Sequence, residues 1–513
     1  MQQLIHHLRS LLFPFNCSFE NCSPVQRKRI PGPLPDLPLE IWLEIFQFAT
    51  YVHRSASLKP LDPFTLKRTS NNAMGANSPS LALKTKLALV LVSRSWRRIA
   101  VQMLYEHLTI RSPVRADAIL VVLRGSCRVE GFNYVAQSAW GQGYGQWARH
   151  IEIYTHARGA NKLQYLQTLF RIFQLCPNLR ILSGVWKHPL PVDFLNVISR
   201  IYGSSLQSLY WNEQSPMELG LRPHYTLAGP QFLGSFRALR VLDLRHFIGC
   251  DLSNCSRVLE KPTLPLVKDL ILSTHPRCLQ TASFLSLPAL CNLTLKVSIG
   301  DPLSTDLLTD FLKHHGEKLI TVDLPSPSPD SEPEPDSSHS RRTAPHVNPD
   351  IFLQPDICPN LLAFAFPITS PVLSPYINQS IRRIGLRGVR SDSLYPDKSS
   401  SGKSHLMAIT PDKYPNLELV QTVGYLVEAE TDGLIRDVFI WWVERFEKLG
   451  IDFLDGEGVL WAYTEAEQVT GDAKATEASE STSVNKASSD MQLAREILEA
   501  EMELKKACKC DRL

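Results

Sequence analysis

Apolar residues recur along the middle of the chain in short groups that share one spacing. Eight six-residue stretches read apolar-x-x-apolar, mostly with a third apolar residue two positions further on. They begin at Leu179, Leu206, Leu239, Val267, Leu290, Leu319, Leu361 and Ile381, at intervals of 20 to 42 residues. Repeats of about 20–29 residues with this spacing predict strand–helix units that bury their apolar faces against one another.

Proline keeps a constant position relative to these groups. It stands two residues before the first apolar position at Pro177, Pro265, Pro288, Pro359 and Pro415. Proline ends a preceding helix and has no N–H to donate to a ladder, so it suits the entry to a strand. The pattern favours an irregular leucine-rich-repeat-like solenoid over residues 145–425. An ordinary mixed α/β domain is the alternative.

The longest interval in the array has a visible cause. Seven prolines lie between residues 325 and 349, in a segment that is otherwise mostly polar. Such a segment buries too little apolar surface to fold, so we predict a disordered insert over residues 325–350. After the array, residues 430–462 read as a helix followed by a hairpin, which suits the cap that a terminal repeat needs. We expect disorder at residues 1–33 and 464–490 and a short helix over residues 491–507.

Two helical patterns precede the array. In the first, residues 34–49, one face carries Leu37, Ile41, Ile45 and Phe48, and another carries Leu39, Trp42, Leu43 and Phe46. In the second, residues 87–110, an apolar stripe is formed by Leu89, Val92, Trp96, Ile99 and Met103. The second pattern can cover one face of the first helix, and the other face then needs a partner outside the segment.

The residues of these two patterns resemble the F-box family. The family pattern is an L-P-x-x-P/I-x-E-I start, a helix ending in I-F and a second helix with L-x-x-V-S-R/K-x-W, and nearly every keyed position is filled here. The resemblance covers residues 34–108, and we assign residues 34–110 to the box. A polar insert departs from the pattern, and we expect it to form a surface loop over residues 53–82. The predicted fold class is therefore α/β, an N-terminal helical F-box followed by an irregular leucine-rich-repeat-like solenoid.

An F-box resemblance implies binding of a Skp-type adaptor and, through it, of a cullin scaffold in an SCF ubiquitin ligase. The positions carried over to adaptor binding are Leu34, Pro35, Leu37, Pro38, Ile41, Ile45, Phe46, Leu89, Val92, Ser93 and Trp96. Trp96 fits the internal core of the box as well as a contact. Proteins of this family often hold a client protein on a leucine-rich array that follows the box. The expected function is a non-catalytic substrate receptor, and a leucine-rich scaffold outside any ligase is the alternative.

Composition narrows the remaining classes. The 513 residues carry a net charge of +3 with 20% charged residues, which argues against a general nucleic-acid or membrane-surface role. Eleven scattered cysteines suit reduced thiols, so we expect the cytoplasm, the nucleus or both, without an export signal. Neither His314-His315 nor Cys508 and Cys510 has a second pair at zinc spacing. We expect no metal, no cofactor and no enzyme activity.

Overall fold

The structure is a computed structural model. It describes residues 37–50, 62–64, 79–129, 143–154, 162–186, 190–213, 231–246, 261–297, 304–325, 347–354, 356–374, 376–396, 400–427 and 433–461. The chain divides into two units, Met1–Trp461 and Ala462–Leu513, and the second lies wholly outside these residues. The segments predicted at 1–33, 464–490 and 491–507 also lie outside the described residues. No described helix has the length and hydropathy that a bilayer-spanning helix needs.

One parallel sheet of twelve strands runs through the first unit, and the strands occur in it in the order of the sequence. The strands are β1 (His107–Ile110), β2 (His150–Ile153), β3 (Ile181–Trp186), β4 (Ser208–Glu213), β5 (Val241–His246), β6 (Asp269–Ser273), β7 (Asn292–Lys296), β8 (Thr321–Asp323), β9 (Ala363–Pro367), β10 (Arg383–Arg387), β11 (Leu419–Val423) and β12 (Asp452–Leu454). Each inner strand therefore pairs with its two neighbours in sequence, as expected when each repeat contacts only the repeats beside it.

Helices precede the sheet and fill most of the connections between its strands. The described helices are α1 (Leu39–Ala49), α2 (Pro79–Val92), α3 (Arg94–Glu106), α4 (Pro113–Val129), α5 (Lys162–Leu175), α6 (Val192–Tyr202), α7 (Gln231–Gly234), α8 (Pro276–Phe284), α9 (Thr305–His315), α10 (Asp350–Leu353), α11 (Ser401–Ala408) and α12 (Gly433–Glu447). The predicted α/β class is confirmed by this arrangement.

The apolar spacing of the sequence produces the core of the sheet. The second residue of every strand is apolar and buried, and in-register pairing aligns these residues across the sheet. This core row consists of Leu108, Ile151, Leu182, Leu209, Leu242, Leu270, Leu293, Val322, Phe364, Ile384, Val420 and Phe453. The row joins the apolar faces of α4 to α6, α8, α9 and α12 in one continuous cluster. The predicted strand positions are confirmed, because each of the eight hexamers contains a strand that begins two residues after its first apolar residue.

The prolines lie in turns four residues before their strands, as at Pro177 before Ile181 and Pro359 before Ala363. Three of these prolines are followed by asparagine, at Asn178, Asn360 and Asn416, and each asparagine side chain connects its repeat to the preceding one. Asn178 and Asn360 each donate a side-chain N–H to a backbone oxygen of the preceding repeat, at 2.9 and 2.8 Å. The proline ring and the asparagine hydrogen bonds therefore fix the backbone just before each of these strands.

The array and its end differ from the prediction in three places. Strands lie at both sides of the expected 145–425 range, since β1 begins at His107 and β12 ends at Leu454. The last part of the expected 325–350 insert is structured, because Val347 is buried and α10 begins at Asp350, whereas residues 326–346 lie outside the described residues. At the end, the hairpin expected after α12 is absent from residues 433–461, where β12 pairs in parallel with β11 instead.

Candidate functional site

Three aromatic rings hold the N-terminal helices together. The ring centroids of Trp42 and Phe46 on α1 lie 5.1 and 4.9 Å from that of Trp96 on α3. Phe46 is 1% exposed, and with Ile99 and Met103 it belongs to a small core separate from that of the sheet. Tilted ring pairs at these separations are favourable beyond the area they bury. This helical cluster, residues 39–49 and 79–106, therefore has a core of its own.

The opposite face of α1 is bare. Ile41 and Ile45 are each 42% exposed, Leu37 just before the helix is 40% exposed, and Phe48 at its end is 73% exposed. Leu39, at the first turn, is exposed as well. The i, i+4 spacing that aligned Leu37, Ile41 and Ile45 in the sequence thus forms one apolar side that no described part of the chain covers. Contiguous exposed apolar surface on a folded protein usually marks a binding site.

The end of α2 adds a second exposed apolar stretch. Leu91 is 72% and Val92 61% exposed, whereas Leu89 is half-buried against the cluster core. The sequence has no polar residue from Leu87 to Val92, so the outer side of this helix has to be apolar. Leu91 was missed by the sequence analysis because it lies outside the stripe that was used to align the two helices.

Ser93 separates α2 from α3, where the sequence analysis expected one continuous helix. Its backbone is extended, and its hydroxyl accepts a hydrogen bond from the N–H of Trp96 at 3.1 Å. This is the geometry of an N-cap, in which a serine side chain satisfies an otherwise unpaired N–H of the first turn. The residue therefore has a structural role, and it fixes where the Trp96 ring enters the core. The helix α2 also begins at Pro79, inside the predicted loop 53–82.

The predicted site residues divide into three groups. Exposed residues are Leu37, Pro38, Ile41, Ile45, Val92 and Ser93. Residues packed into or against the cluster core are Phe46, Leu89 and Trp96. Leu34 and Pro35 lie outside the described residues. The structure thus separates surface positions from those that support them, a distinction that the sequence pattern left open for Trp96.

The helical cluster is joined directly to the sheet. The last residue of α3 is Glu106 and the first residue of β1 is His107, with no loop between them. The Glu106 carbonyl accepts a hydrogen bond from the N–H of Arg149 at 2.9 Å, and Tyr105 packs on Tyr144 with ring centroids 4.8 Å apart. This junction has few free backbone torsions, so a molecule held by the cluster would keep a fixed orientation relative to the first strands.

Burial shifts the pKa values of several titratable groups among the described residues. Burial raises the pKa of both the Cys176 and the Cys358 thiol to about 12, so neither is an activated nucleophile. His107, His150 and Glu152 lie together on β1 and β2, with His107 Nε2 3.3 Å from Glu152 Oε2. No group of three or more His, Cys, Asp or Glu side chains within the described ranges is arranged to hold a metal ion.

Comparison with known proteins adds little to this description. No family model matches the chain, and no curated protein matches it. Among solved structures, the chain is similar to one in the crystal structure of the Rad7 and Elc1 complex in yeast, with 11% identity and a TM-score of 0.28. The match covers 75% of this chain and 88% of that chain. At that TM-score the two chains share too little of their backbone arrangement for fold or function to be inferred.

Proposed function

We propose that this chain is the non-catalytic substrate receptor of an SCF-type ubiquitin ligase. In this proposal the helical cluster is an F-box that binds a Skp-type adaptor and, through it, a cullin. The parallel-strand array is a leucine-rich-repeat-like solenoid that binds a client protein. Cys127, Cys176, Cys291 and Cys358 carry free thiols, which suits action in the cytoplasm or the nucleus.

The bare face of α1 carries the proposal. Ile41 and Ile45 are exposed on the helix whose sequence resembles the first half of an F-box, and Leu37 is exposed just before it. On the opposite side of the helix, the ring of Phe46 packs against that of Trp96. A helix whose one apolar side is packed and whose other side is bare is suited to bind a second protein through helix-in-groove contacts. The adaptor is the partner that the resemblance implies for that side.

The direct junction between α3 and β1 supports a role in positioning. A receptor of this kind accelerates ubiquitin transfer by holding client lysines near the charged conjugating enzyme, and it needs no reacting group of its own. A loop-free connection limits the relative motion of the two binding surfaces, which is what orientation requires. Under this proposal the chemistry lies in other subunits.

The proposal is tested by co-purification of the full chain with a Skp-type adaptor. Replacing Ile41 or Ile45 with Glu places a charge on the bare face, and we expect adaptor affinity to fall by more than about tenfold, as for a central interface residue. Val121→Glu is the matched control, because Val121 is also an exposed apolar helical residue, on α4, but lies outside the cluster. Retention of the adaptor by both Ile variants would contradict the proposal.

Recovery of a cullin in the same purification separates the two interaction classes. We expect a cullin to be recovered with the adaptor and to be lost with it in the Ile41→Glu protein. Recovery of the adaptor without a cullin would contradict the ligase role and favour the scaffold outside any ligase.

A further inference from the structure

Three residues of the segment between α1 and α2 lie on the sheet at strands that occur much later in the chain. Asp62 Oδ2 is 3.7 Å from Arg383 Nη1 on β10, and the Arg383 guanidinium carbon is 5.1 Å from the centroid of the Phe64 ring. Pro63 between them is buried. The rest of the segment, residues 51–61 and 65–78, lies outside the described residues. The expected surface loop thus makes specific contacts through residues 62–64.

The contact lies on the sheet face opposite the core row, which we call the open face. Side chains there are half-exposed on β1, β2 and β7, where burial alternates along the strand. On β9 all five residues are buried, so both faces of that strand are covered. The open face is therefore occupied near β9 and β10, while other parts of it are accessible.

Gly385 lies beside the Phe64 ring on the open face. Ala365, Gly385 and Gln421 pair in register across β9, β10 and β11 on the open face. A Cβ added at Gly385 would lie 3.2 Å from Phe64 Cε1, 3.0 Å from Ala365 Cβ and 2.8 Å from Val423 Cγ2. The missing side chain at Gly385 thus leaves a depression between Phe64, Ala365 and Val423 that a Cβ would overfill. Beside this depression, Arg383 supplies a positive charge and a planar group that stacks on an aromatic ring.

The segment itself is pre-shaped for this contact. The N–H of Phe64 donates to Asp62 Oδ1 at 3.0 Å, which closes a local turn, while Oδ2 of the same carboxylate faces Arg383. Proline between the two fixes one backbone torsion and reduces the entropy lost on ordering. An acidic residue, a proline and an aromatic residue therefore form a compact unit that presents a carboxylate and a ring together.

We propose that this part of the open face is a recognition site for a peptide segment in which an acidic residue is followed by proline and an aromatic residue, and that residues 62–64 occupy it as an intramolecular competitor. The inference rests on the proposed function, since it names the class of client segment that the receptor would take. The ion pair of the occupant is solvent-exposed, with Asp62 44% and Arg383 41% exposed. Exposed pairs contribute little to stability, so a client segment with further contacts can displace it.

The test measures binding of a fluorescent synthetic peptide spanning residues 58–68 to the full-length protein by fluorescence anisotropy. A tethered competitor acts at high effective concentration, so we expect Phe64→Ala in the protein to increase peptide affinity by at least about tenfold. A peptide in which the phenylalanine is replaced by alanine should bind neither protein. Equal or absent binding of the intact peptide by wild type and the Phe64→Ala protein overturns the proposal.

A second substitution identifies where the peptide binds. In the Phe64→Ala background, Arg383→Ala should abolish the gained affinity. Arg382→Ala is the matched control, because Arg382 precedes β10 and is paired with Glu418 at 3.0 Å outside the depression. Equal effects of the two arginine substitutions would contradict the site.

Two further readouts keep this inference separate from the proposed function. Adaptor co-purification should be unchanged by Phe64→Ala and by Arg383→Ala, so failure of the adaptor experiment leaves the peptide result interpretable. Sedimentation should show a monomer for wild type. A dimer that is lost on Arg383→Ala would mean that the segment of a second copy occupies the site, and it would overturn the intramolecular assignment.

Discussion

At the scale of single residues, the first two strands hold a half-buried polar cluster whose stability depends on pH. The rings of His107 and His150 are stacked, with centroids 4.1 Å apart, and Tyr154 donates its hydroxyl to Glu152. Burial and the neighbouring His107 lower the pKa of His150 to about 3. Although burial opposes it, hydrogen bonds from His107 and Tyr154 lower the pKa of Glu152 to about 2. The cluster therefore favours neutral His150 and charged Glu152.

This cluster predicts acid sensitivity at the start of the array. An unfolded histidine has a pKa near ~6.5. At pH values between this unfolded pKa and the folded pKa of about 3, His150 binds a proton in the unfolded chain but not in the folded chain. The free energy of unfolding therefore decreases as the pH falls through this window. For Glu152, stability is lost in the same way as the pH falls from an unfolded pKa of ~4.3 to the folded pKa of about 2.

The substitution His150→Gln removes the histidine contribution. The difference in thermal midpoint between this variant and wild type should be more favourable to the variant by a few degrees at pH 5 than at pH 7.5. Calorimetry of both proteins at each pH measures it. His314→Gln, at an exposed position on α9 outside this cluster, serves as the control for removal of a histidine. A difference between His150→Gln and wild type that does not change with pH would contradict the burial argument.

At the scale of elements, the strands were predictable and the helix boundaries were less so. The spacing of apolar residues located eight of the twelve strands because each hexamer repeats one local arrangement, whereas β1 and β12 lie outside the predicted range. The break at Ser93 was missed because the apolar stripe continues in phase from Leu89 through Trp96 and hides the cap. The contact of Phe64 with β10 could not be derived at all, since no local pattern indicates which distant strand a three-residue turn meets.

The cap at Ser93 carries its own prediction. Ser93→Ala should destabilise the start of α3 by about 1 kcal/mol, whereas Ser93→Asn should retain the cap. Hydrogen exchange at the first turn of α3 measures the difference. Ser95→Ala is the control, because the Ser95 hydroxyl lies 2.9 Å from the Ser93 hydroxyl but does not accept the Trp96 N–H. An equal rise in exchange for both alanine variants would exclude the capping role.

At the scale of the whole described array, the order of the strands predicts that damage stays local. Each strand pairs only with its sequence neighbours, so a defect at one end has no direct contact through which to reach the other. The last described helix, α12, packs against β12. Trp442 on this helix is fully buried, and its Nε1–H is donated to the Leu394 carbonyl at 2.7 Å. This side chain therefore belongs to the packing at the end of the described array.

Trp442→Ala should destabilise the end of the array by about 3–5 kcal/mol, because it opens a large cavity and leaves a buried carbonyl unpaired. We expect hydrogen exchange to rise in β11 and β12 and to stay unchanged in β1 to β4. Trp441→Ala, at the adjacent 41% exposed residue, should leave both regions nearly unchanged. A uniform rise along the whole sheet would instead indicate a single cooperative unit.

The loop-free passage from Glu106 to His107 has a consequence for how such a chain can change length. A helix turns by about 100° and advances by about 1.5 Å for every residue added to it. One residue inserted in α3 would therefore rotate the bare side of α1 to a new orientation relative to the sheet. Residues added between α1 and α2 would leave that orientation unchanged. We therefore expect insertions to be tolerated at residues 51–61 and 65–78 and to be disruptive between Arg94 and Ile110.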